Sequence, residues 1–253
     1  VRLRFASLGS GSRGNALLVE FGTTLLMVDC GLPLRDLEAR LASLGLTGAD
    51  VTALLVTHEH ADHVRGVVPF ARRHGTPVWA THGTAAAVAD AVEIGLLGCR
   101  EPLRVGAVRV EPYLVPHDAR EPCQFVFAAG GRRLGVLTDT GHVTPHIAER
   151  LDGCDALALE CNHDLDALAA GPYPPAVKAR VASDFGHLNN AQAAAFLGRF
   201  RDGGLQWVTA MHVSERNNSA EHVREALGPI LDVAGRLLHV ARQDAPTAWL
   251  EVV

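Results

Sequence analysis

Four apolar segments of this chain each run into a histidine or an aspartate, and one does so very densely. Val51 to Val56 is an apolar run that reads as a buried strand. It continues into Thr57-His58-Glu59-His60-Ala61-Asp62-His63, which packs three histidines and an aspartate into six residues. In an irregular turn His58 and His60 can point to one metal ion while Asp62 and His63 reach a second. Imidazole and carboxylate suit Zn²⁺ or Mn²⁺. A solvated His-rich loop is the plain alternative, and four possible ligands directly after a buried strand disfavour it. The placement recurs. His117 follows the strand ending Leu114-Val115, Asp139 follows Leu134 to Leu137, and His212 follows Trp207 to Met211. Each could singly be a surface or turn residue. Strand ends on one edge of a layered α/β fold gather into a site, so seven groups at four strand ends together read as a binuclear centre.

Around these segments the chain reads as one domain over residues 1–253, with strands first and then strands mixed with helices. That order suggests α/β layers with mixed sheets. Strands are expected at Arg2 to Ser7, Ala16 to Phe21, Leu25 to Val28, Pro77 to Ala80, Asp155 to Leu159 and Gln206 to Met211, with strand-rich stretches at Val105 to Val115 and Gln124 to Leu137. Pro33 to Leu44 places Leu34, Leu37, Leu41 and Leu44 on one helical face and stops at Gly45. His63 to His74 and His82 to Leu97 read as helical. Thr144, Asn190 and Ser219 are expected helix caps. Leu237 to Ala241 and Thr247 to Val252 are expected to close the chain as a hairpin.

Composition narrows the class. A content of 48% hydrophobic residues excludes general disorder, and no apolar run approaches a membrane span. Five cysteines without a CxxC pair speak against a disulfide framework or a zinc ribbon, so free thiols in a reducing cytoplasm are expected. The net charge of −5 provides no general basic surface, so a nucleic-acid partner would need a local patch or bound metal. Ser10-Gly11-Ser12-Arg13-Gly14 lacks a Walker lysine.

The dense motif resembles the HxHxDH signature of the metallo-β-lactamase fold superfamily. Ser7 to Ser12, Gly14-Asn15, Val28 to Gly31, Thr138 to Gly141, Ser183 to Leu188 and His212 to Asn218 are similar to the YycJ/WalJ branch, a group of bacterial metal-dependent exonucleases related to ribonucleases Z and J. The resemblance implies a four-layer αββα sandwich with two mixed sheets and the site at one edge. It implies that His58, His60 and His117 bind the first of two divalent ions (Zn or Mn). Asp62, His63 and His212 would bind the second, and Asp139 would bridge them.

Two such ions can hold a hydroxide and clamp both oxygens of a displacement at phosphorus. With Asp62 and Asp139 they leave a local charge of about +2, which suits an anionic substrate in an acidic protein. His187 matches a histidine facing the scissile phosphate in the related nucleases, and is the candidate general acid; Asp62 is counted with it in the catalytic set. Glu160 and His163 follow a strand and could orient His187 or a ligand, although Asp164 could instead pair with His163. Ser214, Arg216, Asn217 and Asn218 are candidate substrate contacts, because arginine and amide donors suit phosphate oxygens. The function expected is a metal-dependent phosphodiesterase, a DNA exonuclease, located in the cytoplasm. A hydrolase of a small ester, thioester or lactam on the same metals is the alternative, and a non-catalytic metal binder is a third. The stretch from Asp139 to His187 is too short for the large insertion of ribonuclease J, and no protruding arm of the ribonuclease Z type is visible.

Overall fold

The computed structural model of the chain describes residues 1–88, 92–200, 204–231 and 238–253. Its strands form two seven-stranded mixed sheets. The first contains β1 (Leu3–Gly9), β2 (Ala16–Phe21), β3 (Thr24–Val28), β4 (Ala53–Leu55), β5 (Val78–Ala80) and β6 (Ile94–Leu96), with β14 (Leu250–Val252) beside β1. The second contains β7 (Leu103–Val105), β8 (Val108–Leu114), β9 (Cys123–Ala129), β10 (Arg132–Leu137), β11 (Ala156–Glu160), β12 (Trp207–Met211) and β13 (Leu238–Val240) in sequential order. Successive side chains on a strand point to opposite faces. Leu17, Val19, Leu26 and Val28 therefore meet Phe125 and Phe127 between the sheets. Their neighbours Ala16, Leu18, Leu25 and Met27 face outward into a second apolar cluster. Both faces are buried, which is why these strands read as continuous apolar runs.

The outer clusters are covered by helices. On the first sheet these are α1 (Leu34–Ser43), α2 (Ala61–Val64), α3 (Val67–His74) and α4 (His82–Val88). Leu37 and Leu41 of α1 are completely buried there, each contributing about 1.5–3 kcal/mol of transfer free energy. After β10 come α5 (Pro145–Leu151), α6 (Leu165–Ala170), α7 (Pro175–Val181), α8 (Asn190–Leu197) and α9 (Ala220–Leu227). Ile147, Phe196 and Val223 fix α5, α8 and α9 to the second sheet. The layers are therefore αββα, as the resemblance implied. All five cysteines are free. Burial pushes the Cys30 and Cys161 thiols well up, and the Cys154 thiol up to about 11, which keeps them unreactive. No helix among the described residues is long and apolar enough to cross a membrane.

Several local expectations need correction. The helix expected over His63 to His74 breaks into α2 and α3 at Gly66, whose N–H bonds Cys30 O at 2.6 Å. A Cβ at Gly66 would lie 2.4 Å from Leu32 O, so the chain must approach there as glycine. The helix expected over His82 to Leu97 is helical only to Val88; residues 89–91 lie outside the described ones. Ile94–Leu96 is instead the parallel edge strand β6, with Gly95 against the Trp79 ring. Asn189, not Asn190, caps α8, accepting from Gln192 N at 2.8 Å. Thr144 and Ser219 cap α5 and α9 as expected. The terminal hairpin does not form. β13 runs parallel to β12 in one sheet and β14 antiparallel to β1 in the other. The intervening segment crosses between sheets and is bonded along its length: Ser10 N to Arg242 O at 3.0 Å, Gln243 Nε2 to Gly14 O at 2.8 Å, Thr247 N to Ser7 O at 2.9 Å. Leu237 itself lies outside the described residues.

Topology then gathers the site. β3 and β4 are parallel, as are β10, β11 and β12, and β8 runs the same way as β10 because both are antiparallel to β9. The C-terminal ends of these strands carry Asp29, His58, His117, Asp139, Glu160 and His212.

Candidate metal centre

Asp29, Asp139 and His212 are the non-glycine residues with positive φ among the described residues, at 60°, 51° and 52°. Each sits just past a strand end. The left-handed region costs an ordinary residue roughly 1–2 kcal/mol. Three such residues at one place show a backbone bent to aim side chains into a common space.

Each histidine of the cluster has one ring nitrogen tied to the protein, which directs the other inward. His63 Nδ1 donates to Asp29 Oδ2 at 2.7 Å. His58 Nδ1 donates to Thr57 Oγ1 at 2.9 Å, and that hydroxyl donates on to Asp29 Oδ2 at 2.9 Å. His60 Nε2 donates to the Asp118 carbonyl at 3.3 Å. His117 Nδ1 donates to Gly186 O at 3.0 Å, and His212 Nδ1 to Glu160 Oε1 at 3.0 Å. Such partners fix the tautomer and ring orientation of metal-binding histidines.

The inward atoms fall into the two sets expected. His58, His60 and His117 offer ligand atoms within 4.8 Å of one another, and so do Asp62, His63 and His212, while Asp139 joins His58 and His63. His117 Nε2 lies 3.3 Å from His60 Nδ1. Two nitrogens on one tetrahedral ion with bonds of about 2.1 Å are separated by about 3.4 Å. Asp62 Oδ2 lies 3.5 Å from both His63 Nε2 and His212 Nε2. His58 Nε2, His212 Nε2 and Asp139 Oδ2 are buried with no hydrogen-bond partner. Orphaned buried polar atoms cost about 1–3 kcal/mol each, and a divalent cation at each set would satisfy them. These residues fit divalent metal ions.

The two halves of the cluster differ in charge. Burial, together with the neighbouring His63, His117 and His60, lowers the His58 pKa well below its usual value, so this ring is the neutral form that binds metal. Burial likewise lowers His117. Burial opposes ionisation of Asp62, but the neighbouring His212 and His63 overcome it and hold the carboxylate well below the usual range. Burial also opposes the charged form of His212, yet Asp139, Asp62 and Glu160 raise its pKa to about 10.

His187 lies beside this cluster, its ring centroid 5.1 Å from that of His212 and 5.2 Å from that of His117. Its Nδ1 donates to Glu160 Oε1 at 2.8 Å, leaving Nε2 free, and the residue lines the cavity. Glu160 is fully buried and also accepts from His212 Nδ1 and from the N–H groups of Thr140 and Leu188, both at 3.1 Å. It thus orients a ligand and the candidate acid together. His163 does neither: its ring is buried with both nitrogens unpartnered. Asp164 instead caps α6.

The polar run after His212 does not face the cavity as a unit. Ser214 and Asn217 line it, and Ser214 Oγ accepts from Asn217 N at 3.2 Å. Asn218 is turned into the fold, where it bonds Cys161 O at 2.8 Å and Asn190 at 2.9 Å. Arg216 is exposed, its Cζ 5.9 Å over the Tyr173 ring. The arginine that lines the cavity is Arg180, from α7. Sequence reasoning missed Arg180, Asp118 and the orienting role of Asp29. The signal for Asp29 was an acid after an apolar strand, the same pattern that singled out Asp139.

Two mixed sheets packed face to face, helices outside and a histidine–aspartate cluster at the shared edge define a sandwich protein with a metal-type centre. The chain belongs to the beta-lactamase superfamily, whose domain model matches residues 24–231. It is 34% identical over 239 residues to exodeoxyribonuclease YycJ of Bacillus anthracis, spanning 92% of this chain and 90% of that relative. It is 31% identical over 229 residues to exodeoxyribonuclease WalJ of Streptococcus pneumoniae, spanning 87% and 85%. The solved metallo-β-lactamase fold protein YhfI from Bacillus subtilis superposes with a TM-score of 0.77 over 98% of this chain and 100% of that one, at 14% identity, a likeness of fold.

Proposed function

We propose that this chain is a metal-dependent exodeoxyribonuclease that works with two divalent ions. His58, His60 and His117 would hold one ion, Asp62, His63 and His212 the other, with Asp139 between them. The observation that carries the reading is the pairing of two inward-facing ligand sets with a free His187 Nε2 at the same cavity. Ions bound there supply Lewis acidity toward a phosphodiester and activation of water at neutral pH. The remaining work falls to the chain. His187 Nε2 holds the proton for the leaving oxygen, and Glu160 stabilises the imidazolium through Nδ1 and keeps the ring in place. Asp62 and Asp139 stay ionised and fix the ligand geometry. DNA as substrate is supported by the two relatives named as exodeoxyribonucleases.

The test is purified protein with Mn²⁺ or Zn²⁺ against end-labelled single- and double-stranded DNA, RNA, a thioester and a cephalosporin. Progressive shortening of DNA from an end, abolished by chelation, is the expected result. Cleavage of the lactam or thioester without cleavage of any nucleic acid under either metal overturns the reading.

A further inference from the structure

One side of the cavity is not built from the metal cluster. The cavity holds about 270 Å³, near the roughly 300 Å³ at the small end of ligand pockets. His60, Asp62, Asp139, His187 and His212 form its floor, whereas Tyr173 and the α7 residues Val177, Arg180 and Val181 form a wall. Val177 is exposed although apolar. The Arg180 side chain is 65% exposed, and its Nε lies 3.5 Å from Asp118 Oδ2. An exposed ion pair of that length contributes little and leaves the guanidinium available. Asn217 also borders the cavity, but it is 1% exposed and its Oδ1 lies against Gly171. A cation and an aromatic–aliphatic face thus converge on a small space.

We infer that this wall is the subsite for one terminal nucleotide of the substrate: Arg180 holds its phosphate, and Tyr173 with Val177 takes the face of the base. This rests on the nuclease reading above. Guanidinium matches phosphate geometry bidentately, and stacking on an aromatic ring accepts any base. The volume matches one nucleotide unit rather than several. Asp118 ties the subsite to the chemistry, because its carbonyl orients His60 while its carboxylate contacts Arg180. Arg216 reaches the same Tyr173 ring from outside the cavity lining, its Cζ 5.9 Å from the centroid.

The test compares wild type with Arg180→Ala, Arg180→Lys, Tyr173→Ala and Tyr173→Phe. Calorimetric binding of dAMP is measured with and without Mn²⁺. Cleavage of an oligonucleotide is compared with cleavage of bis(p-nitrophenyl) phosphate, which has neither nucleobase nor second phosphate. Tyr173→Ala should weaken dAMP binding and raise KM for the oligonucleotide roughly tenfold, while Tyr173→Phe retains both. Tyr173→Ala should also no longer distinguish a normal terminal nucleotide from an abasic one. Arg180→Ala should lower the salt slope of oligonucleotide binding by about 0.7, and Arg180→Lys should restore most of it. Unchanged dAMP affinity in both alanine variants overturns the subsite, and so does an equal fall on oligonucleotide and small diester. If wild type hydrolyses the small diester but no nucleic acid, the nuclease reading fails, and the dAMP comparison alone decides the subsite.

Discussion

The floor of the cavity, taken with the residues that orient it, hangs from six strand ends and is mostly buried, whereas its wall is a seven-residue helix and the turn before it, facing water. On the floor Asp29 accepts from Thr57 and His63, and Glu160 accepts from His187, His212, Thr140 and Leu188. On the wall Arg180 has the long contact to Asp118. Floor side chains are held by several partners distant in sequence, so they have little freedom to move or vary. Wall side chains are held weakly. The chemistry is thereby fixed by the sandwich, and the choice of substrate is left to a segment that can change without disturbing it.

The largest effects should come from the floor. Asp139→Ala removes the group shared by both ligand sets, and metal analysis should show fewer than two ions per chain with cleavage lost. Two retained ions would mean that the halves of the cluster are independent. His187→Ala should lower kcat by roughly 10²–10⁴ with metal content intact; loss of metal would move His187 from the acid to the ligands. Asp29→Asn should weaken metal binding roughly 10–100-fold, measured by chelator competition. Both ions should be affected, because Asp29 serves His63 directly and His58 through Thr57.

Wall variants should be milder and leave metal content alone. Arg180→Ala should raise KM for DNA more than Arg216→Ala, whose guanidinium lies over Tyr173 and outside the cavity lining. The reverse order would restore Arg216 as the backbone contact. The smallest effect concerns stability beneath the floor. Burial lowers the His163 pKa to about 4. In the unfolded chain it takes up its proton near pH 6.5. Between those values the unfolded state binds more protons, so stability falls as pH drops through that window. His163→Phe should flatten that part of the Tm–pH curve in chelated protein, and an unaltered curve would show that other groups dominate it.

The floor was legible in the sequence and the wall was not, for a physical reason. His58, His60, Asp62, His63, His117, Asp139 and His212 each punctuate an apolar run, a local pattern. The bonds that orient them join residues far apart, such as Glu160 with His212 and Asp29 with His63. The α7 segment buries only Val181, so it carries no amphipathic stripe to announce a helix. Arg216 lies four residues from His212 in the sequence, but a tight turn sends neighbouring side chains in different directions. The two last strands looked like a hairpin because the composition of a turn does not reveal which sheet the chain enters next.

The cluster draws on both sheets: the His58–His63 segment, with Asp29 behind it, on the first, and His117, Asp139 and His212, with Glu160 behind them, on the second. The first sheet also needs β14 at Leu250–Val252 to pair with β1 at Leu3–Gly9. A chain emerging from the ribosome has neither the second half of the cluster nor that closing strand until nearly all of these residues are out. Such long-range pairing forms late. The cluster therefore comes into being only when the two sheets dock, so its chemistry depends on the complete sandwich.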